Sequence, residues 1–576
     1  MQKVWRWLRK PDSLALLIVI FFGLLAGKGL FGSGYFNMHD DLQMMRQLQM
    51  EKCFLDGQIP CRWVPDMGYG FGYPLFNYYP PLPYLVGEGI RLVGYSFVAT
   101  AKILFVLSFV ASGITMYYLA KDFFGRFGGV ISSIFYIWAP YHSEDVYVRG
   151  AMNEAWALIW FPLILWSGYK LITCEKKHLL KYMMILALAW FGLFTSHNLM
   201  VLIFSPVFAA WCGIWYVMTK KWKTLPYLVT AGIWSFALAA FFTLPVLVEK
   251  SIVQTNTLVV GYYEYTAHFA TISQLLFSRF WGYGPSAWLV DGDGMSFQIG
   301  WIHWGLSLFL LVLISFKYAK NKKIEKWVAA TLFLIAVGWF GAFIAHGRST
   351  PIWQMIGELK FVQFPWRFLT MVILGFSFAA GSMVKLFQNR VLGKILILVI
   401  LLGVLVYSWS FFRPEHGKLG PLTDEEKFSG VAWDMLQTAG IYDYLPNTAK
   451  TAPKAPRGYV AEVVSGEGEI PAAQLGTNWA KVTVYMQSAG TVRLNIFEFP
   501  NWVITDGTEK LTQYVPEDEE WGRMHLDLSA GRHELDIKLQ NTWSRTVGNW
   551  VSVVAWAGLA VAIYYLYRNE ANPSMV

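Results

Sequence analysis

The residues best equipped for chemistry stand at the junctions of long apolar runs. They are Asp40 and Asp41 in NMHDDLQMM (37–45), Arg149 and Glu154 in YHSEDVYVRGAMNEAW (141–156), His197 and Asn198 in TSHNLM (195–200), and Arg367 in VQFPWRFL (362–369). His346 and Arg348 in AHGRSTPIW (345–353) belong to the same group. The planar arginine fork binds phosphate through two parallel hydrogen bonds. A carboxylate can take the proton of an attacking hydroxyl, or hold a divalent ion such as Mg or Mn against a phosphate leaving group. The set therefore reads as a site for transfer from a lipid-phosphate donor. Neighbouring residues on a helix point about 100° apart. Asp40 and Asp41 are thus expected to divide the work, one facing the site as base or metal ligand and the other capping the helix. Each member also has a plainer use: Asp40 with Gln43 has capping-box spacing, Arg149 and Glu154 suit a structural ion pair, His197 an interhelical hydrogen bond, and Arg367 a headgroup anchor.

The elements that must position these residues are membrane helices. Of 576 residues, 55% are hydrophobic and only 15% charged, against about a quarter in soluble domains. Runs long enough to span hydrocarbon, roughly 17–25 residues, lie near 12–31, 97–120, 127–141, 154–172, 179–195, 198–218, 225–247, 298–316, 327–345, 367–385, 391–411 and 547–567. Lys3, Arg6, Arg9 and Lys10 precede the first run, which reads as a retained helix. Basic residues then fill alternate loops: Lys121 and Arg126; Lys176, Lys177 and Lys181; Lys220, Lys221 and Lys223; Lys317, Lys320, Lys322, Lys323 and Lys326; Lys385, Arg390 and Lys394. By the positive-inside rule these loops are cytoplasmic. About twelve helices follow, with both termini inside a plasma membrane and the polar junctions above on the outer face. The net charge of +9 is then a topology signal, and no nucleic-acid partner is expected. There is no P-loop, and GYGFG (68–72) lacks the strand-turn-helix context of a dinucleotide motif.

Three regions outside the membrane are long: 32–96, 248–297 and 412–546. In the first, Leu42, Met45 and Leu48 recur at three-residue spacing, which predicts an amphipathic helix along the membrane surface. The following RWVPDMGYGFGYPLFNYYPPLPYLVGE (62–88) is a rigid aromatic loop, suited either to sugar C–H faces or to the headgroup belt. Cys53 and Cys61 share this region, where a disulfide is permitted. In the last region, PNTAKTAPKAP (446–456) reads as an extended linker. Alternation in KVTVYMQ (481–487) and VRLNIFEF (492–499), and a hairpin from MHLDL (524–528) through SAG to HELDIKL (533–539), predict a small β-sandwich outside the membrane. The expected division is a transmembrane domain over 1–412, an extracytoplasmic region over 413–546, and a final helix with cytoplasmic tail over 547–576.

An acidic motif opening the first outer loop, an amphipathic helix after it and a multi-helix body resemble the GT-C membrane glycosyltransferases. More narrowly, HDDLQ, GQIPCRWVPDMGYGFGYPLFNYYPPLPY, VRGAMNEAW, TSHN and FPWRF resemble the bacterial and archaeal membrane family labelled 6-pyruvoyl-tetrahydropterin synthase-related. YDYLP (442–446) and FPNWVITDG (499–507) are similar to its YfhO-like relatives. The resemblance implies a polyprenyl-phosphate-sugar donor, an extracytoplasmic glycan, lipid or protein acceptor, and a catalytic acid at Asp40 or Asp41. Many GT-C enzymes space that motif as D-x-D or E-x-D, whereas here the aspartates are adjacent, so either can hold the position. Arg149 and Arg367 would stabilise the phosphate, with Glu154, His197 and Asn198 in support. The rival expectations are a transporter or flippase of a lipid-linked glycan and a non-catalytic envelope scaffold.

Overall fold

The computed structural model describes residues 11–287, 293–321, 324–387, 391–415 and 422–571. Lys3, Arg6, Arg9, Lys10, Lys322, Lys323 and Arg390 lie outside the described residues. Among those described, eight helices are long and apolar enough to cross a membrane, and nine if a bent pair counts as one span. The twelve expected segments map onto these helices with three differences. Residues 97–120 and 127–141 fall in one element, Phe97–Ile137, broken at Gly125, whose φ of 80° and ψ of 179° suit only glycine. Asp12–Ala26 and Trp301–Lys317 are shorter apolar helices. The segment 225–247 becomes Trp222–Leu238 and Ala240–Ile252, bent by 80°.

The break at Ala239 is filled by the chain itself. Ser552 on the last helix donates to the carbonyls of Ala237 and Leu238 (3.1 and 3.2 Å) and accepts from the peptide N–H of Phe241 (2.8 Å). Arg62 donates to the Phe241 carbonyl at 2.8 Å. Backbone groups freed by a kink in an apolar setting need such partners. The bundle centres on Pro365–Phe387, whose apolar window is 89% buried, while the last helix, Trp543–Arg568, is 17% buried and peripheral. That last helix is anchored at its start, where buried Arg545 pairs with buried Glu249 at 2.9 Å and Asn77 donates to the same carboxylate.

The C-terminal region contains an eight-stranded antiparallel sandwich. β1 (Ala461–Ser465), β4 (Gly490–Phe497) and β7 (Arg523–Leu528) form one sheet in the order β1-β4-β7. β2 (Gly468–Leu475), β3 (Trp479–Met486), β5 (Trp502–Asp506), β6 (Glu509–Leu511) and β8 (Gly531–Leu539) form the other, β2-β3-β8-β5-β6. The expected strands are present, but the expected hairpin is not: β7 pairs with β4, and β8 with β3 and β5. The SAG turn crosses between sheets, so Leu526 and Leu528 from one side meet the core that Leu535 and Ile537 enter from the other.

Two other expectations change. The first-loop helix, Gln43–Leu55, is not spread on a membrane surface. Gln43, Arg46, Gln47 and Gln49 on its polar side are buried, as are Met44, Met45 and Met50. The 446–456 segment is pinned rather than free, with Lys450 and Thr451 donating to the Glu520 carbonyl and Ala449 and Ala452 buried. The aromatic loop is largely a seam to the C-terminal region: Trp63 packs on Phe499 and Trp502, Phe71 on Phe497 and Trp521, and Tyr78 stacks on Tyr444. Cys53 and Cys61 are joined by a disulfide that closes the turn between them.

Candidate functional site

A cavity of about 770 Å³ opens where the first loop, the 139–154 turn, the 196–199 junction, the bent helix, the 255–286 loop, the 361–367 turn and residues 443–444 converge. Asp40, Arg149, Glu154, His197, Asn198 and Arg367 all line it. Asp41, His346 and Arg348 do not. The neck of the site is a short pairing of main chains, in which the peptide N–H groups of His39 and Asp40 donate to the carbonyls of Val148 and Arg149 (3.0 and 2.9 Å). Two motifs 109 residues apart are thereby locked in register, and His39 is tied to the Tyr283 carbonyl at 3.0 Å.

The adjacent aspartates part company here. Both oxygens of Asp40 are held by the Arg46 fork (2.8 and 3.0 Å), with Gln43 adding a bond at 3.1 Å. Arg46 lies 4.1 Å from the Tyr79 ring centroid, so the pair sits on an aromatic floor. Asp41 turns the other way and binds Lys427 of the C-terminal region. Neither aspartate caps the helix, whose N-cap is Leu42 with no side-chain bond. The expected division of labour therefore takes a different form: Asp41 ties two regions together. The two carboxylates, each already holding a cation on a different side, do not make a shared metal site. Among the described residues no group of three His, Cys, Asp or Glu side chains is placed to hold an ion.

Deeper in the wall lies a buried ionic cluster. Arg149 donates to Glu154 at 2.8 Å and to Tyr141 at 3.1 Å, and is bonded to Asp145. Tyr141 donates to the other Glu154 oxygen at 2.7 Å, and the Arg367 Nε stands 3.3 Å from Glu154. Burial, reinforced by the charge of Glu154, pushes Asp145 well above the usual carboxylate range, and burial does the same to Glu144. Arg149 and Arg367 thus share one buried cluster with Glu154 and Asp145. Lys250 adds a further cation to the lining.

FPWRF supplies the frame for Arg367. Phe364 and Trp366 stack at 4.8 Å, and the guanidiniums of Arg367 and Arg149 lie 4.9 and 4.4 Å from their respective centroids. Arg367 is steadied by the Val362 carbonyl (2.8 Å) and the Gln363 side chain (3.0 Å). Gln363 adopts a φ of 66°, a left-handed conformation that non-glycine residues rarely take and that clusters at functional sites. His197 accepts from the peptide N–H groups of Leu199 and Met200 through Nδ1. Burial lowers its pKa, leaving a neutral ring whose Nε2 carries the proton. Asn198 and Asn153 hold the first loop by its carbonyls, at Tyr78 and Pro80.

Sequence reading missed three participants. Arg46 has the spacing of an exposed helix residue, and its burial depends on remote segments. Gln363 gives no sequence signal. Asp443 stands within YDYLP, a motif visible in the sequence whose side chain had no assigned role; it lines the cavity beside Arg46 and Asp40.

A family model described as a 6-pyruvoyl-tetrahydropterin synthase related domain, membrane protein, matches residues 76–413. Comparison with curated proteins finds no match. Among solved structures, a mutant of the arabinofuranosyltransferase AftD from Mycobacteria aligns with 69% of this chain at 14% identity and a TM-score of 0.41. The oligosaccharyltransferase of Archaeoglobus fulgidus aligns with 79% at 11% identity and a TM-score of 0.43. The chain spans 28% of the first protein's length and 62% of the second's.

Proposed function

The chain belongs to the 6-pyruvoyl-tetrahydropterin synthase related family of membrane proteins, and from that premise we propose that it is a membrane glycosyltransferase that moves a sugar from a polyprenyl-phosphate donor to an extracytoplasmic glycan, lipid or protein. The observation that carries this reading is the cavity itself. It combines the cations Arg149, Arg367 and Lys250 with a carboxylate at Asp40 and a lining of Tyr78, Tyr79, Tyr262, Tyr263, Tyr283 and Trp366. Cations suit a phosphate, aromatic faces suit a sugar ring, and the adjoining helices suit a lipid tail.

In this reading the acceptor hydroxyl attacks the anomeric carbon as the carbon–oxygen bond to phosphate breaks, and the bonding pair leaves on the phosphate oxygen. Arg149 and Arg367 stabilise the growing phosphate charge, where preorganised donors act most strongly. His197 offers its Nε2 proton to a phosphate oxygen. Asp40, held by Arg46, places negative charge beside the sugar, where such transition states carry positive charge. Asp40 and Asp41 face different partners, so a divalent ion would be held by one of them and not by the pair. The outer-face location is supported by the Cys53–Cys61 disulfide on the cavity side and by the lysine-rich loops at the opposite helix ends.

The bent helix pair, like the buried charges, is a feature that transport paths also show. Here its freed backbone groups are bonded to Ser552 and Arg62, which favours a fixed structural kink. The test is transfer in proteoliposomes from radiolabelled polyprenyl-phosphate sugars, with and without EDTA. Wild type and Asp41→Asn are expected to transfer and Asp40→Asn to lose at least about 100-fold, the scale of one electrostatic group. Full transfer by Asp40→Asn would remove Asp40 from the site. Activity abolished by EDTA would restore a metal to the mechanism.

A further inference from the structure

We propose that Asp443, delivered by the C-terminal region, is the proton acceptor for the attacking hydroxyl; this rests on the transferase reading. Three carboxylates line the cavity among the described residues: Asp40, Glu154 and Asp443. The Asp40 carboxylate is ion-paired with Arg46 through both oxygens, and the two oxygens of Glu154 accept from Tyr141 and Arg149. The carboxylate of Asp443 has no hydrogen-bond donor or ion-pair partner among the described residues, and Asp443 lines the same cavity as the other two.

It is also held there by design of the surrounding chain. The turn that carries it is stapled to the aromatic loop through Tyr73, whose hydroxyl donates to the Gly440 carbonyl (2.8 Å) and accepts from the Tyr444 peptide N–H (2.7 Å). The Asp443 peptide N–H closes the turn onto Gly440 at 2.9 Å. Gly440 has a φ of 68°, and a Cβ there would meet the Asp443 carboxylate at 3.0 Å. On the far side, Leu445 and Asn447 bond Gln254 and Ile252, and Tyr442 accepts from Thr257, so the turn bridges the two long loops that cap the cavity.

A carboxylate left unpaired in a low-polarity wall binds a proton more readily than one in water. Burial, with Asp40 nearby and Arg46 opposing, raises Asp443 to about 6, close to the working pH that suits a general base. In the step itself, the acceptor oxygen forms its bond to the anomeric carbon, its proton passes to Asp443, and the donor phosphate leaves with the electron pair of the broken bond. The charged groups facing Asp443 are Asp40 and Arg46, with the phenols of Tyr444 and Tyr263 beside them. The residue lies beyond the family-model match, which ends at 413, so the region after the bundle completes the site instead of merely decorating it.

The test is the pH profile of transfer by wild type, Asp443→Asn and Asp443→Glu, read as kcat and KM for a radiolabelled polyprenyl-phosphate sugar, with donor binding measured in parallel. Wild-type kcat is expected to rise through about pH 6 and level off. Asp443→Asn is expected to fall about 100- to 1,000-fold in kcat, the range for loss of a general base, with unchanged donor KM and binding and no rising limb. Asp443→Glu should recover part of the rate. An Asp443→Asn enzyme with wild-type kcat and pH profile, beside an active wild type, overturns the assignment of Asp443 alone. A wild type inactive toward every donor overturns the transferase reading and this one with it.

Discussion

Arg367 shows most clearly how a single side chain is specified by its surroundings. It stands near the mouth of a membrane helix, where a charge is costly, and its neighbours hold the guanidinium plane with one edge beside Glu154. Arg367→Lys keeps the charge and loses the fork. The expected outcome is a drop of roughly 10- to 100-fold in kcat/KM for the donor, the worth of one charge-assisted hydrogen bond, with expression unchanged. Arg149→Gln is a harsher change: it leaves Glu154 and Asp145 buried with one cation fewer, and should destabilise the fold by about 3–5 kcal/mol. Asp443 moves the opposite way. Its pKa in the folded chain, about 6, lies above its ordinary 3.8, so the native state binds the proton more tightly than the unfolded one. Stability is therefore full below about pH 4 and falls as pH rises to about 6, by at most about 3 kcal/mol. Asp443→Asn should raise the unfolding midpoint at pH 7.5 and leave it unchanged at pH 4, while transfer is lost. A stability gain joined to an activity loss marks a residue kept for function.

At the scale of elements, the apolar runs announced the helices because hydrocarbon demands them, and strict alternation announced β3, β4, β7 and β8. What could not be read was which element meets which. MHLDL and HELDIKL look like a hairpin because a three-residue turn joins them, yet their apolar faces are satisfied from opposite sheets. The polar side of Gln43–Leu55 looks solvent-facing because Tyr84 and Glu88, which bond it, are about 40 residues away. The junction residues Arg149, Glu154, His197 and Arg367 were legible for a simple reason: charge at the end of an apolar run stands out. Asp443 sits in a polar, aromatic loop where one more aspartate carries no signal. The last helix is only 17% buried over its apolar window, and the buried Glu249–Arg545 pair anchors its start. Glu249→Gln is expected to cost about 3–5 kcal/mol and to open the segment before Trp543 to limited proteolysis; an unchanged cleavage pattern would show that the helix is held elsewhere.

At the scale of the molecule, the C-terminal region is the roof of the cavity. Lys427 reaches Asp41, Asp56 receives Thr477 and Trp479, and Tyr444 stacks on Tyr78, so three separate parts of that region grip the first loop. Arg149, Arg367 and Asp443 line one cavity, and in the proposed reaction the bond that breaks lies between them. A lipid phosphate is proposed to occupy this space, which a cryo-EM structure of the protein with a non-cleavable polyprenyl-phosphonate sugar tests. Phosphonate density is expected within hydrogen-bond reach of Arg149 and Arg367, with the sugar between Asp40 and Asp443. An empty cavity with the analogue bound elsewhere on the chain would contradict it.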